Sequence, residues 1–417
     1  MAYEQHLDYL QKNDPEIYRQ LILEKERQMD GLELIPSENL VSQAVLEAMG
    51  SVATNKYSEG YPHKRYYGGN ELIDNIEDIA VERLKKLFGA EHANVQPLSG
   101  SPANMAAYLA VMQVGDTAMG LKLTEGGHLT HGHKVNFSGK LFNFVQYGVD
   151  EKTEMLDYDA VLKQAKETRP KLILSGYTAY PRKIDFKRFR EICDEVGAIC
   201  MADIAHIAGL CATEVHENPV PYFDIVTTTT HKTLRGPRGA VIMCKKDFAE
   251  RIDKSVFPGL QGGPHDHITA AKAVAFKEAL QPEFKEYARQ IVKNSRALAE
   301  TLMGKDWRLV TNGTDNHLML VDVFSKGITG KEAEHCLELA GIYCNKNTIP
   351  FDKRSPFDPS GIRIGTPVLT TRGMEESEMK EVGGFIDKAL KNKDKESELK
   401  KIKAEVKEFC RDFRFYK

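Results

Sequence analysis

The stretch TTTTHKTLRGPRGA, residues 227–240, follows the apolar approach FDIV and carries one lysine, Lys232, into a glycine- and arginine-rich turn. β-Branched residues favour extended backbone, so a strand is expected to end close to this lysine. A cation is costly to desolvate at the end of a buried strand. Burial also makes such an amine useful. Desolvation lowers its pKa, and the neutral form can condense with a carbonyl as a Schiff base.

Outward from this stretch the pattern repeats. The short apolar runs KLILS (171–175), AICMAD (198–203), DIVTTTT (224–230) and AVIMCK (240–245) alternate with helical spacing. The segment DFKRFREICDEVG reads as a helix between the first two, with Asp185 as its cap. NELIDNIEDIAVERLKKLF (70–88) places Leu72, Ile73, Ile76, Ile79 and Leu87 at helical spacing, and Gly89 is a natural stop. Strands alternating with helices predict an α/β fold with a mostly parallel sheet, whose ligands lie beyond the carboxyl ends of the strands. Helical patterns follow over 264–280 and 282–303. A smaller α/β region then contains HLMLVDV (317–323) and SGIRIGTP (360–367), and a charged final helix is expected to dock through Leu399, Ile402, Val406 and Phe409. The expected division is a helical arm over 1–29, a large domain over 30–280 and a small C-terminal domain over 281–417.

Composition narrows the class. The 417 residues are 41% hydrophobic and 28% charged, the profile of a globular protein. A formal charge of −3 gives no electrostatic case for nucleic acid. No apolar run reaches membrane-spanning length, and the polar start MAYEQHLDYLQKNDPEIY lacks the apolar core of a secretory signal. Seven scattered cysteines without a CxxC pair fit a reducing compartment, so cytoplasmic residence is expected.

The carbonyl partner that best suits Lys232 is pyridoxal phosphate, and that cofactor needs further groups. A phosphate cradle is available in LSGSPANMAAYLAVM, where Ser99, Gly100 and Ser101 precede Pro102, a residue suited to the first helical position. The competing reading makes Ser101 a simple helix cap. A carboxylate for the ring nitrogen is available in Asp203, directly after AICMA, with His206 three residues on; a structural turn cap is the alternative. An imidazole to stack on the ring is available in GGHLTHGH as His128. A zinc site built from His128, His131, His133, Asp203 and His206 is the rival, although it leaves Lys232 without a purpose. A clamp for a substrate carboxylate is available in Arg363, flanked by apolar residues in SGIRIGTP, with a structural ion pair as the alternative.

These motifs together resemble one family. TTTTHKTLRGPRG, ADIAHIAGL, GGHLTHGHKVNFSGK, NKYSEGYPHKRYYGGNE, FPGLQGGP, SGIRIGTP and ELIPSEN occur in the order found in serine hydroxymethyltransferases, over about residues 30–375. The resemblance implies a fold-type-I pyridoxal-phosphate transferase with a seven-stranded, mostly parallel sheet. It implies conversion of serine and tetrahydrofolate to glycine and methylenetetrahydrofolate, in a homodimer with active sites at the subunit interface, or in a dimer of dimers. It assigns Lys232 as the covalent cofactor lysine, Asp203 to the pyridine nitrogen and His128 to the ring face. Ser99, Gly100, Ser101 and His231 fall to the phosphate, Thr229, Thr178 and His206 to the cofactor's surroundings, and Gly262 and Gly263 to the neighbouring subunit's phosphate. Ser37 and Arg363 are implied contacts of the amino acid. Tyr57 and Glu59 are implied to act across the interface, with Glu59 as proton-transfer group, and Tyr67 to lie near the reacting carbons. Leu123, Gly127, Leu129 and Asn347 are implied folate contacts.

The chain departs from the family pattern at Thr178, where serine is common, at Glu125, where histidine is common, and at His265 and Asp266. None of these removes a group the chemistry requires. The nearest rival activities are a threonine aldolase and a hydroxymethyltransferase using a modified folate. From a different class, a non-catalytic scaffold or RNA-binding regulator is disfavoured by the intact Lys232, Asp203 and Glu59 set and by the mild negative charge.

Overall fold

Seven short strands form one sheet in the computed structural model, which describes residues 7–416. They are β1 (His92–Asn94), β2 (Thr117–Leu121), β3 (Asn143–Tyr147), β4 (Leu172–Ser175), β5 (Ile199–Asp203), β6 (Ile225–Thr229) and β7 (Ala240–Cys244). Their order across the sheet is β1-β7-β6-β5-β4-β2-β3. β2 to β6 run parallel, and β7 is antiparallel to both neighbours. Every residue of β4, β6 and β7 is buried, which is why these strands read as unbroken apolar or β-branched runs rather than as an alternation.

Parallel pairing brings the carboxyl ends of β2, β4, β5 and β6 to one edge, so Leu121, Ser175, Asp203 and Thr229 end side by side. The loops that follow them carry most of the candidate residues. The helix Gly100–Val111 presents Ala103, Ala106, Ala107, Tyr108 and Val111 to the same core as Leu172, Met201, Ile225 and Ile242. Its small residues permit a close approach to the strands.

The helix Phe186–Val196 is capped by Asp185, whose carboxylate accepts from the Arg188 N–H. The helix expected over 70–88 forms as Glu71–Phe88 and stops at Gly89, at φ +70°. Its buried face differs from the apolar stripe read in the sequence. Leu72 and Ile79 point outward, whereas Asp74 and Glu77 point inward. The inversion has a cause: both acids receive the buried guanidinium of Arg65, at 2.8 Å and 2.7 Å.

The chain forms two compact units, residues 41–289 and residues through Leu40 with those from Gln290 onward. The sequence-based division placed 30–40 with the large domain and 281–289 with the small one. The difference at the N-terminal side comes from Leu32–Glu33, which pairs in parallel with Ile342–Tyr343. The expected arm over 1–29 consists of two helices, Asp8–Asn13 and Pro15–Asp30; residues 1–6 lie outside the described residues. Asp14 caps the second helix and Pro15 opens it, and together they break the arm.

The second unit has a four-stranded antiparallel sheet in which Leu318–Asp322 and Gly361–Gly365 are central, flanked by Arg308–Leu309 and Asn345–Asn347. Met319, Val321, Ile362 and Ile364 pack with Ile386, Leu399, Ile402 and Val406 from the last helices. The final charged segment is helical over Glu396–Phe409, with Leu399, Ile402 and Val406 buried as expected.

Candidate active site

Lys232 follows the end of β6 by three residues, and its Nζ donates to Thr229 Oγ1 at 2.8 Å. The side chain is half-buried, less than the full burial expected from its position after the strand. The loop around it is held by its own backbone. The Thr230 N–H donates to the Gly239 carbonyl at 3.0 Å and the Gly236 N–H to the Thr230 carbonyl at 2.7 Å. Arg235, at φ +57°, stacks over Tyr287 at 4.5 Å, which anchors the outer side of the turn.

Asp203 ends β5, the strand beside β6. Its Oδ2 accepts from Asn104 Nδ2 at 2.8 Å and faces His131 Nε2 at 3.3 Å, and its Oδ1 accepts from the Ala205 N–H at 3.1 Å. Burial alone would raise this carboxyl. The His131 hydrogen bond and charge, with His128 and Asn104, overcome burial and hold it well below the usual carboxylate range. Asp203 is therefore an ionised carboxylate in a largely buried setting.

The network continues behind Asp203. Asn104 accepts from Thr227 Oγ1 at 2.6 Å and donates to Thr130 Oγ1 at 2.9 Å. The Thr130 N–H donates to His128 Nδ1 at 3.2 Å, and the same ring nitrogen lies 2.8 Å from Thr130 Oγ1. His128 is thus joined to Asp203 through Thr130 and Asn104. His131 was read in the sequence only as a possible zinc ligand, and Asn104 was not singled out. A polar residue on the buried face of an alanine-rich helix was the signal for Asn104. Among the described residues no three of His, Cys, Asp and Glu are grouped as metal ligands.

The phosphate cradle differs from expectation in one respect. The helix begins at Gly100, with Ser99 as the capping residue, so Pro102 stands third in the helix and Ser101 is not the cap. The Ser99 side chain makes no capping bond, which leaves the first N–H groups of this helix to another acceptor. Gly100 lies against β6; a Cβ there would stand 2.8 Å from Thr229 Cγ2. On the lysine loop, His231 Nδ1 is buried without a hydrogen-bond partner. Burial first, then the charges of Lys232 and Arg238, pull the His231 imidazole down to about 3, so the ring is neutral. A helix start with an uncapped end and an orphaned imidazole nitrogen fit a phosphate group.

The loop after β2 carries Leu123, Gly127, His128 and Leu129. Gly126 (φ +112°) accepts from the N–H groups of Thr178 and Ala179, at 2.8 Å and 3.1 Å. A Cβ on Gly127 would stand 2.1 Å from the Leu121 carbonyl oxygen. Only glycine fits there. Thr178 therefore supports the loop through its backbone. Glu125 is buried and accepts from the Val149 N–H at 2.7 Å and from Lys122 Nζ at 3.2 Å. It ties the loop to the chain beyond β3. Leu129 is exposed, and His206 is buried, its carbonyl accepting from Thr233 Oγ1 at 2.9 Å.

A second cluster gathers Tyr57, Glu59, Tyr67, Gly262 and Gly263. Tyr57 donates its hydroxyl to Glu59 Oε1 at 3.2 Å and meets the Tyr67 ring edge-on at 5.0 Å. A Cβ on Gly262 would stand 3.0 Å from Glu59 Oε1, and one on Gly263 3.2 Å from Tyr57 Cε2. The segment is clamped from below. Ser58 Oγ donates to Asp266 Oδ1 at 2.7 Å, and Arg65 Nη1 donates to the carbonyls of Ser58 and Gly60, both at 2.9 Å. Asp266, one of the departures from the family pattern, holds this clamp.

In the other unit, Arg363 is buried on the strand Gly361–Gly365, and its Nε donates to Asn345 Oδ1 at 3.0 Å. Burial lowers the guanidinium to about 10. Asn347 lies on the paired strand, where its Nδ2 donates to the Thr348 carbonyl at 2.6 Å. Ser37 lies half-buried in the turn after Leu32–Glu33.

A family model described as serine hydroxymethyltransferase matches residues 10–386 of the 417. The match spans both units, and the seven-stranded, mostly parallel sheet is the fold expected of that family. The chain belongs to the serine hydroxymethyltransferase family of pyridoxal-phosphate-dependent transferases.

Proposed function

We propose that the protein transfers the hydroxymethyl carbon of serine to tetrahydrofolate, reversibly, giving glycine and 5,10-methylenetetrahydrofolate, with pyridoxal 5′-phosphate held covalently on Lys232. The observation that carries this reading is the pairing of two adjacent strand ends. One delivers the Lys232 amine beside Thr229, and the other delivers an Asp203 carboxylate kept ionised by His131 and Asn104.

Pyridoxal phosphate, when bound, supplies an electron sink for the bonds at the amino-acid α-carbon. Ser99, Gly100, Ser101 and His231 hold its phosphate through the helix start and the orphaned imidazole nitrogen. Asp203 keeps a proton on the ring nitrogen by charge. His128, oriented by Thr130, offers its ring face, while Thr178, Thr229 and His206 complete the surroundings. Arg363, with Ser37, binds the substrate carboxylate and so fixes which bond at the α-carbon is aligned for cleavage. Glu59 moves the proton of the serine hydroxyl, with Tyr57 and Tyr67 beside it. Leu123, Gly127, Leu129 and Asn347 receive the folate.

The chain acts as a homodimer in this reading, with Tyr57, Glu59, Tyr67, Gly262 and Gly263 serving the neighbouring subunit's site. The exposure of Tyr57, Tyr66 and Tyr67 on one segment supports that assignment. The large domain binds the cofactor in this reading, and the protein acts in the cytoplasm.

The test is glycine formation from serine by the purified protein, with and without tetrahydrofolate. Dependence on tetrahydrofolate supports the proposal. Equal rates without it point to an aldolase, and activity restored only by a modified folate points to the other rival.

A further inference from the structure

Lys272 lies on the helix Asp266–Ala279 and is only 2% exposed, yet none of the roles assigned above uses it. Its ammonium donates to three backbone carbonyls, those of Val95 at 2.6 Å, Ala240 at 2.9 Å and Pro97 at 3.1 Å. An ammonium has three protons to give, so these contacts use all of them.

The carbonyls belong to two loops. Val95 and Pro97 lie on the stretch that leads from β1 into Ser99, Gly100 and Ser101. Ala240 opens β7, directly after the loop that carries His231 and Lys232. The two stretches also touch each other, because the Ala240 N–H donates to the Pro97 carbonyl at 3.2 Å. The Lys272 stem fills the space beside Gly239; a Cβ on that glycine would stand 2.6 Å from Lys272 Cε. Gln261 adds a further tie, receiving the Leu98 N–H on Oε1 at 3.1 Å and donating from Nε2 to the Gln96 carbonyl at 3.0 Å.

A buried lysine is costly, and a hydrophobic side chain of similar length would fill the same volume. What the cation adds is a single point that fixes three carbonyls from two loops. We propose that Lys272 is a positioning residue that sets the spacing between the Ser99–Ser101 helix start and His231, and thereby the fit of both to the cofactor phosphate. Lys272 does not touch the phosphate, because its donors are taken by the carbonyls. The inference rests on the reading of this site as a pyridoxal-phosphate site.

The experiment compares pyridoxal phosphate with pyridoxal, which lacks the phosphate, by equilibrium dialysis against cofactor-free protein. The quantity read is the ratio of the two affinities. Lys272→Met is expected to reduce that ratio about 10-fold or more, while pyridoxal itself binds as before. A general loss of structure would weaken both ligands together and leave the ratio unchanged. Gly239→Ala is the second variant. It keeps the cation but pushes its stem aside, and the same fall in ratio is expected if Lys272→Met does not fold. A folded variant with the wild-type ratio overturns the inference. Wild-type protein that fails to bind pyridoxal phosphate overturns the functional reading itself and this inference with it, whereas an unchanged ratio leaves that reading intact.

Discussion

Replacing Arg65 with methionine tests how the segment bearing Tyr57 and Glu59 is held. The Arg65 guanidinium side chain is 3% exposed and makes four close contacts: Asp74 Oδ1 at 2.8 Å, Glu77 Oε2 at 2.7 Å, and the carbonyls of Ser58 and Gly60 at 2.9 Å each. Methionine fills much of the volume but leaves two inward-facing carboxylates without their cation. Breaking a buried ion pair from one side costs about 3–5 kcal/mol, mostly from the stranded charge. Burial already pushes the Glu77 carboxyl up against the pull of Arg65 and Gln96. Without Arg65, Glu77 rises further and takes up a proton in the folded state. The folded variant then binds more protons than the unfolded chain, so its stability falls as pH rises above the ordinary carboxylate range of about 4.3. Urea unfolding at pH 5 and pH 8 should show the smaller deficit at pH 5. Adding Asp74→Asn and Glu77→Gln to Arg65→Met should restore part of the loss, because no buried charge is then stranded. A single-variant loss below about 1 kcal/mol, or a triple variant less stable than the single one, would refute the reasoning.

Further outcomes follow from the same structure. His131→Phe removes the main partner that lowers Asp203; the stability Asp203 contributes is present above about pH 3.9 and is lost as pH falls, so urea unfolding of the variant should change less than wild type between pH 6 and pH 3. An equal acid loss in both proteins would count against the pairing. Gly127→Ala drives a Cβ to 2.1 Å from the Leu121 carbonyl and should cost about 2 kcal/mol or more in thermal or urea unfolding; wild-type stability would contradict the close approach. Arg363→Ala should raise the KM for serine about 100-fold with bound cofactor unchanged, and an unaltered KM would remove the carboxylate clamp.

Much of this architecture was legible because each strand announces itself locally. KLILS, AICMAD, DIVTTTT and AVIMCK are short β-branched or apolar runs, and all four become strands of one sheet within a residue or two of their expected ends. Lys232 and Asp203 could be placed at strand ends for the same reason, since a charge after a buried run has few other places to go. The features that escaped were non-local. Leu32–Glu33 pairs with Ile342–Tyr343, and two residues carry no periodicity that could reveal a partner so distant in sequence. Asp74 and Glu77 face inward because Arg65, on the strand Lys64–Arg65 that pairs antiparallel with Gly60–Tyr61, meets them there. Asn104 and His131 lie within motifs noticed for other reasons, and their bonds to Asp203 depend on how the helix Gly100–Val111 and the loop after β2 come together. Lys272 resembles any lysine on an amphipathic helix until the three carbonyls around it are known.

The central claim is that the amine at position 232 carries the cofactor. Reducing the purified protein with borohydride and mapping its peptides tests this directly. The account predicts one pyridoxyl adduct, on the peptide containing Lys232, and none after Lys232→Ala. An adduct on Lys272 or any other lysine, or no adduct in protein that turns over serine, would contradict it.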